Sequence, residues 1–144
     1  MFVRMRIIRN ILSVVGAIAL GSVTMSVLHN LQMTIWPEEA MPPQTASREE
    51  FQAWMAGLSM ATMLAATVVH WIGTAVGAAA GVLIAAPSED DGRRAMWPAW
   101  TMGIWFCIGG IANAYLLGTP LWLTVVDVLG YVPAAYLVGR AMCR

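Results

Sequence analysis

Apolar residues run almost unbroken from Ile7 to Trp36, and the run then stops at Pro37, Glu38, Glu39, Pro42 and Pro43. Prolines in close succession disfavour helix, and carboxylates are costly in hydrocarbon, so residues 37–50 read as an aqueous loop. Ser47 followed by Glu50 is the spacing of a capping box, in which each residue satisfies a backbone N–H of the other at a helix start. The helix it opens could continue to Ala86, about 39 residues, whereas a single span needs about 20. Two readings fit: one long tilted helix, or an interfacial helix over about 48–60 followed by a span over about 63–86. Phe51, Trp54, Met55 and Leu58 recur at helical spacing, which favours the second. The charged cluster from Pro87 to Arg94 forces another loop. A third apolar run covers about 98–117, Gly118-Thr119-Pro120 makes a tight turn, and a fourth run covers about 121–142.

The pattern therefore predicts an all-α polytopic membrane protein with spans at about 8–33, 63–86, 98–117 and 121–142. Arg4, Arg6 and Arg9 ahead of the first run, with Ala17-Ile18-Ala19 inside it, imitate a secretory signal and its cleavage site. The run continues well past the triplet, so the first span is expected to stay attached. Composition agrees: 59% of the 144 residues are hydrophobic and 11% charged, against about 25% charged in soluble domains. A β-barrel is disfavoured, because its strands alternate over about ten residues. Eight arginines, eight acids and no lysine leave no net charge, so a nucleic-acid partner is not expected. Cys107 and Cys143 stand too far apart for a zinc pair or a C-x-x-C redox motif.

The arginines orient the bundle. With the N-terminus inside, Arg4, Arg6, Arg9, Arg93, Arg94, Arg140 and Arg144 fall on the cytoplasmic side and only Arg48 outside. That asymmetry is what the positive-inside rule requires, and both termini are expected to be cytoplasmic. Trp36, Trp97, Trp100 and Trp122 lie near predicted span ends, as interfacial aromatics do. Trp71 and Trp105 lie deeper, and the eleven methionines read as gap fillers.

Lipid supplies no hydrophobic force between helices, so small residues that let backbones approach carry the association. Gly73, Gly77 and Gly81 form a double G-x-x-x-G with Ala66 on the same stripe. Ala17 and Gly21 serve the first span; Gly103, Cys107, Gly110 and Ala114 serve the third. Packing within one chain is the first reading of this stripe, and a homo-oligomer seam or a face for a larger partner the second. Thr67-Val-Val-His70-Trp-Ile-Gly73 recurs 57 positions on as Thr124-Val-Val-Asp127-Val-Leu-Gly130, with Ala78 and Ala135 in step. The two spans would run in the same direction, as in a parallel repeat.

Taken together, these features resemble a widespread set of small four-span bacterial inner-membrane proteins without an assigned activity. The likeness covers most of the chain. It rests on the Pro-rich acidic loop, Gly73-x-x-x-Gly77-x-x-Ala80, Gly109-Gly110-Ile111-Ala112-Asn113, Pro120-Leu121-Trp122, and Tyr131-x-Pro133-Ala134-Ala135 with Gly139. It implies a four-helix protein of the bacterial inner membrane and transfers no catalytic residue.

Polar groups inside apolar spans remain, and each costs several kcal/mol unless paired. They are His29, His70, Asn113 and Asp127. At about 1.5 Å per residue, Asp127 lies about 9 Å in from Leu121, His70 about 10 Å from Met63, and Asn113 and His29 about 6 Å from Leu117 and Met33. All four are thus expected in the outer half. Three readings follow. A polar clasp would fix helix register in an accessory or structural subunit of a larger membrane complex, or of a homo-oligomer. A proton- or cation-coupled transporter would use His70 and Asp127. Haem b would sit between His29 and His70; otherwise no cofactor and no metal site is expected. No hydrolase, zinc-protease, P-loop or dinucleotide signature is present, so an enzyme is not expected. The repeat carries one further expectation, that His70 and Asp127 interact, directly or through a water or Asn113; the competing arrangements turn Asp127 outward toward the headgroups or pair it with Tyr131 one turn away.

Overall fold

A computed structural model describes residues 2–37, 41–43, 45–88 and 92–143. Glu38, Glu39, the Glu89-Asp90-Asp91 triplet and Arg144 lie outside the described residues. Within them the chain is helical: α1 Phe2–Ile35, α2 Arg48–Gly57, α3 Met60–Ile84, α4 Trp97–Leu117 and α5 Leu121–Met142, with no strand. Four helices, all but α2, are long and apolar enough to cross a membrane. The chain is a multi-pass membrane protein. The start of α1, the end of α3, the start of α4 and the end of α5 lie at one end of the bundle, the arginine end. The end of α1, α2, the start of α3, the end of α4 and the start of α5 lie at the other, the α2 end.

Residues 48–86 form two helices, not one. Ser47 accepts from Glu50 N at 3.2 Å while Glu50 Oε2 accepts from Ser47 N at 2.6 Å, so the capping box opens α2. Leu58 and Ser59 are extended, and Ser59 then caps α3 by accepting from Thr62 N. Two N-caps in one apolar-rich stretch explain why the long helix is broken. The second span consequently starts three residues earlier than the pattern alone indicates and ends at Ile84, before Pro87. α1 begins well before residue 8 because its arginines continue the helix beyond the apolar stretch. Arg9 uses that extension: its Nε and a terminal nitrogen donate to Ile84 O and Ala85 O, both at 3.1 Å. A cation on the last carbonyls of α3 satisfies orphan acceptors and complements the helix dipole.

α1 packs on α3, α3 on α5, and α5 on α4; α4 also touches α3 and, lightly, α1 and α2. The glycine stripe faces α1 within the same chain. A Cβ at Gly77 would lie 2.8 Å from Ala17 O, and one at Gly21 would lie 2.9 Å from Gly73 O. A Cβ at Gly81 would meet Pro98 and Ala17 at 3.1 and 3.3 Å. Gly103 and Gly110 do the same between α4 and α5, Gly103 against Ala135 and Gly110 against the Tyr131 ring. The tight core gathers toward the arginine end, where Ala17, Ala78, Val82, Ala99 and Met102 are fully buried and Phe106 seats against Gly21 and Gly77. The α2 end is looser, and α2 crosses it. Gln52 fills the space a Cβ on Gly118 would need, and Arg48 stacks over Tyr115 at 4.5 Å. Gly118 itself ends α4 in the left-handed conformation that glycine adopts without strain (φ 66°).

The close approach at Gly77 is testable. Gly77→Leu must push two backbones apart and should cost about 1–3 kcal/mol of bundle stability or more. Leu83→Ala, at a position 49% exposed, should change stability by less than about 0.5 kcal/mol. Thermal unfolding in detergent compares them, and equal losses would mean that the stripe does not carry the α1–α3 contact.

Candidate functional site

Three of the four intramembrane polar residues come together near the α2 end. His70 Nδ1 lies 3.0 Å from Asp127 Oδ1 and 3.1 Å from Oδ2, and His70 Nε2 lies 3.1 Å from His29 Nε2. The Tyr131 hydroxyl donates to Asp127 Oδ2 at 2.8 Å. Both His70 and Tyr131 therefore engage Asp127 at once, His70 across both oxygens and Tyr131 on Oδ2. The result is a continuous hydrogen-bonded chain, Tyr131–Asp127–His70–His29, running from α5 through α3 to α1. Asn113 stands outside it, exposed on α4 and lining the same cavity.

Asp127 is also engaged through its backbone carbonyl. Trp71, beside His70 on α3, sends its indole N–H to Asp127 O at 3.0 Å. That approach requires Gly130, because a Cβ there would occupy the indole ring. His70 also stacks on Tyr131, with ring centroids 6.1 Å apart and planes 20° apart, and meets His29 edge-on at 5.1 Å. The repeat thus brings His70 and Asp127 together, but its two glycines face different neighbours: Gly73 meets Gly21 and Met25 on α1, and Gly130 meets Trp71 on α3.

Above the chain lies a cavity of about 870 Å³. Its floor holds His29, His70 and Asp127, and its walls include Phe51, Trp54 and Met63. The side chains of His70 and Asp127 are 22% and 13% exposed, so the hydrogen-bonded pair borders the cavity without being fully immersed in it. Gln32, one turn from His29 on α1, also lines it. Its amide nitrogen donates to Thr62 O at 3.0 Å, while Oε1 is buried with no hydrogen-bond partner among the described residues. Such an orphan acceptor is costly and asks for a donor.

With Asp127 ionised and both imidazoles neutral, the hydrogen bonds assign the protons. Tyr131 has a single proton and spends it on Asp127, and a carboxylate only accepts. His70 therefore carries its proton on Nδ1, facing Asp127. Its Nε2 then accepts from His29 Nε2–H, which leaves His29 Nδ1 as an acceptor; these tautomers are assigned from the network. The two Nε2 atoms are in direct hydrogen-bond contact. Axial ligation of haem iron, with metal–nitrogen bonds of about 2 Å, would hold them about 4 Å apart, so the pair as placed is not a ligand pair. Among the described residues no group of three His, Cys, Asp or Glu is arranged around a common metal position.

Gln32, Trp71, Gly130 and Tyr131 complete the site beyond the four residues singled out by depth. The signal for Trp71 was present: a deep indole N–H must find an acceptor. Gln32 near a span end gives no such signal, because glutamine there is ordinary. No protein family, curated protein or solved structure matches this chain.

The His70–Asp127 contact is measurable by a double-mutant cycle. His70→Leu, Asp127→Leu and the double variant should show a coupling of about 0.6–2 kcal/mol in thermal stability, the range for hydrogen bonds in membrane bundles. Additive losses would mean that the two side chains do not support one another.

Proposed function

We propose that this chain is a small proton-coupled carrier of a bacterial inner membrane, both termini cytoplasmic, with its cavity facing outward. One observation carries the reading: a hydrogen-bonded chain of two imidazoles, a carboxylate and a phenol borders a cavity of about 870 Å³ near the α2 end of the bundle. On the arginine side, Ala78, Val82 and Met102 are fully buried and close the path. On the other side, the cavity volume falls within the range of about 300–1,000 Å³ usual for small-molecule sites. A histidine–carboxylate pair bordering such a cavity can change protonation when its contents change, which is the requirement for coupling. The arginine distribution favours this orientation.

A carrier must present its cavity to both sides in turn. In a chain with Cys107 and Cys143 replaced by serine, Ala66→Cys places a thiol on the cavity wall and Asn113→Cys one at its rim. An impermeant maleimide should reach both from outside. Position 66 should also react from the cytoplasmic side, in a proportion that shifts with pH across the range in which histidine titrates. Labelling of position 66 from outside only, at every pH, would make the protein a one-sided receptor and end the carrier reading.

A subunit role is the second reading, and the placement of α1 favours it. This helix packs on α3 and barely on α4, leaving Val3, Ile7, Ile11 and Val15 more than half exposed along one stretch. After gentle extraction, co-migration with a larger complex on a native gel supports this role, and migration as a free species removes it.

A further inference from the structure

We infer that the cavity takes a protonated amine with an apolar body, and that this ammonium and a single proton compete for the same place beside His29. The inference rests on the carrier reading and assigns its solute. It follows from a count of charges and acceptors. Among the described residues lining the cavity, Asp127 and Arg48 are the side chains of fixed charge type. Arg48 sits on α2 at the mouth with its guanidinium already stacked on Tyr115. The floor belongs to Asp127, whose neighbours are His70 on α3, His29 on α1, Tyr131 on its own helix, and Cys107 on α4 beside Tyr131. With both imidazoles neutral, that group carries one net negative charge.

The acceptors are equally specific. Tyr131 and His70 already donate to Asp127, and His29 already donates to His70. With both imidazoles neutral, His29 Nδ1 and, one helical turn away, Gln32 Oε1 are left without a donor among the described residues at the floor. Gln32 is 6% exposed, lines the cavity, and has its amide hydrogens turned to Thr62 O. A floor with one negative charge and two adjacent empty acceptors calls for a cation bearing N–H donors.

Two species meet that requirement. A proton on His29 Nδ1 makes an imidazolium next to Gln32 Oε1, and neutral His70 then relays between it and the Asp127 carboxylate. Alternatively, an R–NH₃⁺ or R₂NH₂⁺ group places its N–H donors on the same two acceptors. Both cannot occupy that position, so the ammonium enters as the proton leaves His29 for water, one charge for one charge. Phe51, Trp54, Met55 and Met63 supply apolar and aromatic walls for the rest of the molecule. Aromatic faces near a cation add to the attraction.

The test uses the full chain in lipid nanodiscs and three probes: naphthylmethylammonium, its trimethylammonium analogue, and neutral naphthylmethanol. Calorimetry in two buffers of different ionisation heat reports affinity and protons released. The primary ammonium should bind about 10–100-fold more tightly than the trimethyl analogue, which keeps the charge but has no N–H to donate. Its affinity should fall about tenfold per pH unit once His29 is protonated, with close to one proton released per molecule bound. Gln32→Leu should bring the two cations to similar affinity. Should that variant fail to fold, wild-type protein still decides through the three-probe ranking and the proton count. Equal binding of the ammonium and the alcohol, or binding without proton release at low pH, would overturn the assignment. A separate acid–base titration without probe isolates the underlying reading. If the wild-type chain takes up no more protons than Asp127→Asn, proton coupling itself fails; if it does and the amine displaces none, only the ammonium assignment fails.

Discussion

A carboxylate placed inside an apolar bundle must be answered by donors, and much of the α2 end of this molecule is arranged around that demand. Asp127 receives the Tyr131 hydroxyl and the His70 imidazole, while its own backbone carbonyl receives the Trp71 indole. These contacts tie α5 to α3 at one depth. His29 then extends the same chain to α1. Helix register in this half is therefore set by hydrogen bonds with narrow tolerances in distance and angle, whereas lipid-facing contacts would allow the helices to slide. Gly130 belongs to this constraint although it carries no chemistry: without its missing side chain, Trp71 could not reach the carbonyl.

The other half is held by a different force, and the contrast produces the cavity. Near the arginine end, the backbones of α1 and α3 touch through Ala17, Gly21, Gly73 and Gly77. Dispersion and backbone proximity do the holding there. One turn beyond Gly73, toward the α2 end, the facing residues become Met25, His70 and His29, which cannot be crossed at backbone contact distance. Helices that touch at one end and are separated by side chains at the other enclose space at the second end. α2 crosses that space, fastened by Gln52 in the gap left at Gly118 and by Arg48 over Tyr115.

Much of this was legible in the sequence because bilayer physics restricts the options. Apolar runs of the required length, proline-broken loops, the Ser47/Glu50 capping box and the Gly73/Gly77/Gly81 spacing each have few structural solutions. The Thr-Val-Val repeat placed His70 and Asp127 where they meet. What the pattern could not carry was lateral geometry. Asn113 sits at a similar depth yet on an exposed face of α4, because depth is encoded by distance from a span end while facing depends on how helices rotate against one another. Gln32 was invisible for the converse reason: its role depends on Thr62, on another helix, turning the amide so that its oxygen is left without a donor. Arg9 reads as a topology signal, yet it also caps α3, a contact set by the close approach of α1 and α3 at that end.

Whether the polar chain is only a fastener can be weighed on energetic grounds. Replacing a buried ion pair with apolar side chains of similar volume is often neutral or stabilising, so register alone gives little reason to keep two imidazoles and a carboxylate together. A fastener also works best when sealed from its surroundings, yet here His70 and Asp127 retain contact with an open cavity. A fastener would leave no acceptor empty either, and among the described residues Gln32 Oε1 has no donor. Each departure lowers the stability the cluster could contribute, and each is what a site needs if it is to accept and release a proton or a donor-bearing guest. The fastening then also holds a carboxylate and two imidazoles at a fixed depth beside the cavity.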